Sequence, residues 1–233
     1  MGKHWFPLES NPEVINDFAG RLGLDTSKVA FCDVFSLDED LLATMLPQPV
    51  YALLLLYPDM PKGFVTARQS DLTQKTGASG EESTVFHMTQ NIGNACGTIG
   101  MLHCVGNNLQ VANLGKGSFL QQYFEATAGM SPAERGSYLA DPPEGMTLID
   151  DAHAAAAQQG DTAPQMETHG HFSALVQHGG RLVELSGDAN LDHGRTTSET
   201  FLQDAATVVR RRTEATESLN FSVLALTAVD PSK

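Results

Sequence analysis

Three side chains suited to acyl transfer (a thiol, an amide and an imidazole) occur in two short stretches of this chain. The first stretch, QNIGNACGTIG, runs from Gln90 to Gly100. Apolar residues at Ala95, Ile99, Met101, Leu102 and Val105 fit one face of a helix, and Asn94 just before it is a good N-cap. Cys96 then falls in the first turn, where unpaired backbone N–H groups and the positive end of the helix dipole favour an anion. A thiolate is such an anion, and helix starts are places where cysteine pKa values drop below ~8.5. Gln90, six positions earlier, is placed to aim its amide at an oxyanion forming beside the sulfur. Gly93 and Gly97 leave room for a substrate backbone. The same facts also fit a small buried cysteine.

The second stretch runs from His171 to Asp188. Its two runs on either side of Gly179-Gly180 read as a β-hairpin with a two-residue turn. That turn places His178 opposite Arg181. Carried outward, it sets Ser173 opposite Ser186 and His171 opposite Asp188. Directly opposed Cβ atoms lie ~4.5–5.5 Å apart, close enough for a carboxylate to orient an imidazole. One hairpin can therefore hold a base and its orienting group.

The remaining elements must position these two stretches. Asn11-Pro12-Glu13 opens a first helix lined by Ile15, Phe18 and Leu22 and closed at Gly23. Val29 to Phe35 reads as a strand, Asp38-Glu39-Asp40 starts a helix, and Val50 to Tyr57 is a strand buried on both faces. Residues 66–83 are polar and read as a loop or frayed helix. Ser118 to Ala128 is a helix, and Ser131 with Glu134 forms the capping box of another. Residues 141–170 show no apolar face and read as a surface lid. Thr196 to Glu199 caps a helix whose end, Arg210-Arg211-Arg212, complements the dipole and reads as solvated. Phe221 to Val229 is a near-continuous apolar strand, hence central in the sheet.

Composition bounds the function classes. With 233 residues and 41% hydrophobic content, the chain can bury a substantial core. A net charge of −14, from 28 acidic against 14 basic residues, argues against a nucleic-acid binder. That charge suits a basic protein partner and equally suits plain solubility. Three cysteines without CxxC spacing argue against a disulfide framework or a zinc ribbon and point to a reducing compartment. Neither a metal nor a cofactor is expected. The apolar run from Val50 is too short to cross a bilayer and the N-terminus lacks a signal peptide, so a soluble cytoplasmic protein is expected.

With these residues in hand, the chain resembles the small single-domain ubiquitin carboxyl-terminal hydrolases. Gln90 and Cys96 within NACGTIG, the HFSALV strand from His171, the segment from Trp5 through Pro7 and Leu8, and the closing strand from Phe221 carry the resemblance in order. It implies one catalytic domain over 1–233 of α/β (α+β) class. That domain is a papain-like cysteine hydrolase fold with a central antiparallel sheet flanked by helices, a knotted backbone and a crossover loop over the active site at about 141–170. It further implies Cys96 as nucleophile, His171 as general base, and Gln90 as oxyanion donor beside the Cys96 N–H. Trp5, Pro7 and Leu8 would contact ubiquitin or a modifier such as Nedd8, and the protein would act as a monomer. One departure stands out: the family's aspartate after Leu185 is Ser186 here, which leaves Asp188 or Ser186 to orient His171. The implied activity is cleavage of small or unfolded adducts from the ubiquitin C-terminus through a thioester. The alternative is a ubiquitin-binding protein whose catalysis is weak or lost.

Overall fold

A computed structural model describes residues 2–58, 85–144, 146, 148–161, 165–166, 170–215 and 220–229. The polar stretch 66–83 lies outside them. Six strands form one antiparallel sheet: β1 (Val29–Asp33), β2 (Val50–Pro58), β3 (Gly170–His178), β4 (Arg181–Leu185), β5 (Asn190–Arg195) and β6 (Ser222–Ala228). Their spatial order is β1-β6-β2-β3-β4-β5. The apolar runs of β2 and β6 thus lie inside the sheet, where both of their faces are covered. The mixed α/β class expected from sequence is the one found.

Eight helices are described: α1 (Pro12–Leu22), α2 (Glu39–Met45), α3 (Cys96–Gly106), α4 (Leu109–Ala112), α5 (Phe119–Thr127), α6 (Pro132–Ala140), α7 (Leu148–Ala157) and α8 (Phe201–Glu214). Several begin where the sequence indicates. Asn11 accepts from the Glu13 amide, Asp38 from that of Asp40, and Ser131 and Glu134 close a full capping box. Gly23 ends α1 at φ 110°, a left-handed value that favours glycine. α8 starts later than expected, with Thr200 at its N-cap. Thr197 and Thr200 each accept from the other's amide, at 3.1 and 3.2 Å.

The sheet separates two cores. Ala52 and Leu54 of β2, with Phe172, Ala174 and Val176 of β3, face α1, α3, α5 and α7. Leu53 and Leu55, with Leu175, face α2 and α8. This is the period-2 alternation of a strand carried through both layers.

Two expectations fail here for identifiable reasons. α3 is not amphipathic, because every residue from Cys96 to Val105 is buried. The stretch 141–170 is not a structureless lid, because α7 occupies its middle and packs on α1. The buried face of α7 is Ile149, Ala152, His153 and Ala156, a regular helical stripe. Its alanines and histidine are too weakly apolar for the pattern to stand out in the sequence.

Candidate active site

Cys96 is the first residue of α3 and is buried, at 8% exposure. Asn94 does not cap this helix. It takes a left-handed conformation at φ 60°, which asparagine tolerates, and Ala95 is the N-cap with no side-chain hydrogen bond. No acidic residue lies in the first turn, so the positive end of the dipole is not neutralised locally. The Asn94 side-chain amide instead donates to the carbonyls of Trp5 and Met166, both at 3.0 Å, tying the N-terminal segment and the end of the 141–170 stretch to the turn before Cys96.

The space expected over the two glycines is filled by protein. A Cβ on Gly93 would sit 2.1 Å from the His4 ring. One on Gly97 would sit 3.2 Å from Leu8 and 3.3 Å from Phe172. These glycines let the N-terminal segment and β3 approach α3. Of the N-terminal segment, Trp5 and Leu8 are buried, Phe6 is exposed and Pro7 is half-buried. Trp5 stacks on His153 at 4.2 Å, and its indole N–H donates to Asp150 at 2.8 Å. The His153 Nε2–H donates to the Phe6 carbonyl at 2.7 Å, and Thr98 donates to its Nδ1 at 2.8 Å. Burial brings the His153 pKa down to about 4, so the ring is neutral at pH 7.

His171 is exposed, near the start of β3. Its cross-strand neighbour is Tyr57, with ring centroids 6.1 Å apart. Phe172, next in sequence, packs on Gly97, next after Cys96. Asp188 and Cys96 lie near enough to Tyr57 that their negative charges, when ionised, add to the upward push on its phenol. Cys96 and His171 therefore lie at the same end of the sheet. Strand parity turns His171 to the face of Tyr57, Ser173 and Leu175, opposite that of Phe172.

The hairpin holds the expected register from His178–Arg181 to Ala174–Leu185. Gly179 and Gly180 form its turn at φ 54° and 72°. Beyond Leu185 the register argument fails. Ser186 to Ala189 turn the chain into β5, so the expected ladder pairs Ser173–Ser186 and His171–Asp188 do not form. Within that turn the Ser186 hydroxyl donates to Asp188 Oδ1 at 2.7 Å and accepts from the Ala189 amide at 3.1 Å. The turn is pinned against the segment before Cys96: the Gln90 backbone N–H donates to the Gly187 carbonyl at 2.9 Å, and the His87 Nε2–H to that of Ser186 at 2.9 Å. A Cβ on Gly187 would lie 2.4 Å from Gln90 Cβ, so glycine is required for this close approach.

Sequence reasoning missed a buried ionic cluster on the α8 face. Arg212 Nη2 lies 2.5 Å from Glu184 Oε1, His193 Nε2 is 2.8 Å from Glu184 Oε2, and Ser173 donates to Oε1 at 2.9 Å. The Arg212 guanidinium sits 4.7 Å over the Tyr57 ring. Burial opposes ionisation of Glu184, but the His193 hydrogen bond and the Arg212 charge outweigh it and bring its pKa down to about 2. Burial, and then the charge of Glu184, push Tyr57 up to about 12. Arg212 is thus not part of a solvated helix end. Signals for the cluster were present: Arg212 follows Ala205, Val208 and Val209 at helical spacing, and Glu184 interrupts an apolar strand. Cys104 is fully buried, and Cys32 is half-buried with its thiol pushed up by burial. Among the described residues no cluster of metal-ligating side chains occurs.

A family model described as ubiquitin carboxyl-terminal hydrolase, family 1, matches residues 5–214. The chain belongs to this family. It is 39% identical to ubiquitin carboxyl-terminal hydrolase 3 of Arabidopsis thaliana, over 96% of this chain and 94% of that one. It is 36% identical to the human ubiquitin carboxyl-terminal hydrolase isozyme L1, over 94% and 96% of the two chains. Its fold is similar to that of the Trichinella spiralis UCH37 catalytic domain bound to ubiquitin vinyl methyl ester. That match has a TM-score of 0.73 at 18% identity and covers 97% of this chain and 95% of the other. This ubiquitin carboxyl-terminal hydrolase thus shares the family fold along nearly its whole length. No helix among its described residues is long and apolar enough to cross a membrane.

Proposed function

We propose that this chain is a single catalytic domain that hydrolyses small or unfolded adducts from the C-terminus of ubiquitin. The observation that carries this reading is Cys96 at an uncapped, acid-free helix start, beside the strand end that bears His171. The Cys96 thiolate attacks the carbonyl carbon of ubiquitin's terminal glycine, and the adduct leaves from it. Gln90 and the Cys96 N–H stabilise the oxyanion, His171 protonates the leaving group, and water resolves the thioester. Asp188 is the group we assign to support the imidazolium: its charge reaches Tyr57, the neighbour of His171, whereas the Ser186 hydroxyl is committed to Asp188 and Ala189. A modifier such as Nedd8 falls in the same substrate class, and action as a monomer is part of the proposal. The crossover segment is the stretch at about 141–170, and the Asn94–Met166 hydrogen bond supports its placement beside Cys96.

The test is release of a fluorophore from the ubiquitin C-terminus, with a Nedd8 conjugate run alongside. Wild type is expected to turn over the ubiquitin substrate, with Cys96→Ala inactive and still binding ubiquitin. Wild type that binds without turnover would establish the alternative, a ubiquitin-binding protein that has lost catalysis with the aspartate replaced by Ser186.

A further inference from the structure

Burying an ion pair is a poor way to stabilise a fold, because desolvation offsets most of the attraction and well-packed apolar residues serve as well. The Arg212–Glu184 pair is nonetheless sealed, at 7% and 3% exposure. Its four members come from three strands and a helix: Ser173 on β3, Glu184 on β4, His193 on β5 and Arg212 on α8. The cluster fixes the position of one guanidinium, whose Cζ lies 4.7 Å from the centre of the Tyr57 ring. The other neighbour of Tyr57 is His171. Ser173 and His171 stand two residues apart on the same side of β3, so the cluster grips the strand and the ring facing the imidazole together.

We propose that the Glu184-centred cluster is a positioning device for His171. Arg212 and Glu184 are positioning residues that hold the Tyr57 ring as the wall against which the imidazole rests, and so set its approach to Cys96. This rests on His171 being the general base of the proposed hydrolase. It gives the charge pair a role that Leu and Met, filling the same space, would not supply. It also explains how imidazole placement survives the loss of the aspartate at 186.

The decisive variant replaces the pair together, Glu184→Leu with Arg212→Met, which leaves no orphaned charge. The melting temperature is expected to stay within about 5 °C of wild type. The KM for the ubiquitin–fluorophore substrate should stay within about twofold, while kcat falls between about tenfold and a hundredfold, as expected for a displaced catalytic group. Tyr57→Leu should reproduce that loss and Tyr57→Phe, which keeps the ring, should recover most of it. The second readout needs no substrate: the pH profile of iodoacetamide alkylation at Cys96, mapped by peptide mass spectrometry. It should move to higher pH in the double variant, since the thiolate loses its imidazolium partner. A folded double variant with wild-type kcat and an unmoved profile overturns the proposal. If the double variant does not fold, Arg212→Lys keeps the charge but not the plane, and unchanged kcat there overturns it equally. If wild type does not turn over, the hydrolase reading fails, and the alkylation profile alone still decides the positioning claim.

Discussion

The two faces of the sheet are built on different principles. On the α3 face the helix that begins at Cys96 is enclosed by apolar side chains, and Cys96, Ile99, Leu102 and Val105 sit in one continuous core with Phe18, Leu54 and Phe172. On the α8 face the apolar layer of Leu53, Leu55 and Val209 gives way, toward the end that bears His171, to the cluster around Glu184. One face places its reactive group by shape, the other by charge. Shape is tolerant of volume-conserving exchange. A buried charge is tolerant of joint replacement and intolerant of losing one partner.

The largest test of this contrast is removal of the imidazole. His171→Ala is expected to lower kcat by about a hundredfold to ten-thousandfold with little change in melting temperature, because the residue is exposed. A loss under tenfold in the ubiquitin–fluorophore assay would break the pairing of the two faces at the site. Next come two truncations compared by urea denaturation. Leu54→Ala leaves a cavity under α3 and should cost about 2–5 kcal/mol. Glu184→Ala strands Arg212 and should cost about 3–5 kcal/mol. Only the second should be repaired by a further change, Arg212→Met. Repair of neither would erase the distinction.

Acid should separate the faces as well. His153 in the α3-side core has its pKa lowered from 6.5 to about 4, and His103 in α3 is brought down to about 3, both chiefly by burial. The unfolded chain binds protons there that the folded chain refuses, so this stability is present above about pH 6.5 and lost as the pH falls toward 4. Glu184, depressed from 4.5 to about 2, works lower: its contribution is present above about pH 4.5 and is lost as the pH falls through 2. Hydrogen exchange at pH 5 should therefore show α7 and the N-terminal segment loosening while α8 keeps its protection. The opposite order would contradict these assignments. The smallest expected effect is at the turn after β4. Asp188→Ala should lower kcat several-fold more than Ser186→Ala, and the reverse ranking would move the supporting role to the serine.

How much of this was legible in the sequence follows the same division. The α3 face was readable because its signals are local: Asn11, Ser131 and Gly23 bracket helices by hydrogen bonds within a few residues. Gly179-Gly180 likewise sets a register that holds to Leu185. The candidate residues Gln90, Cys96 and His171 came from residue type and family resemblance, and the fold carries them to one end of the sheet. What the sequence concealed depends on long-range packing. The departure at Ser186 rests on a turn held by residues about a hundred positions earlier, Gln90 and His87. Asn94, expected as a cap, spends its amide on Trp5 and Met166. Arg212, expected in water, pairs with a strand residue 28 positions away.

The central claim is that Cys96 is the sulfur that attacks a ubiquitin C-terminal carbonyl. It is tested most directly by treating the intact protein with ubiquitin vinyl methyl ester and mapping the adduct by peptide mass spectrometry. One ubiquitin on the Cys96 peptide, formed slowly in His171→Ala and not at all in Cys96→Ala, is the predicted result. An adduct on Cys32 or Cys104, or no adduct from a folded protein, would contradict the account.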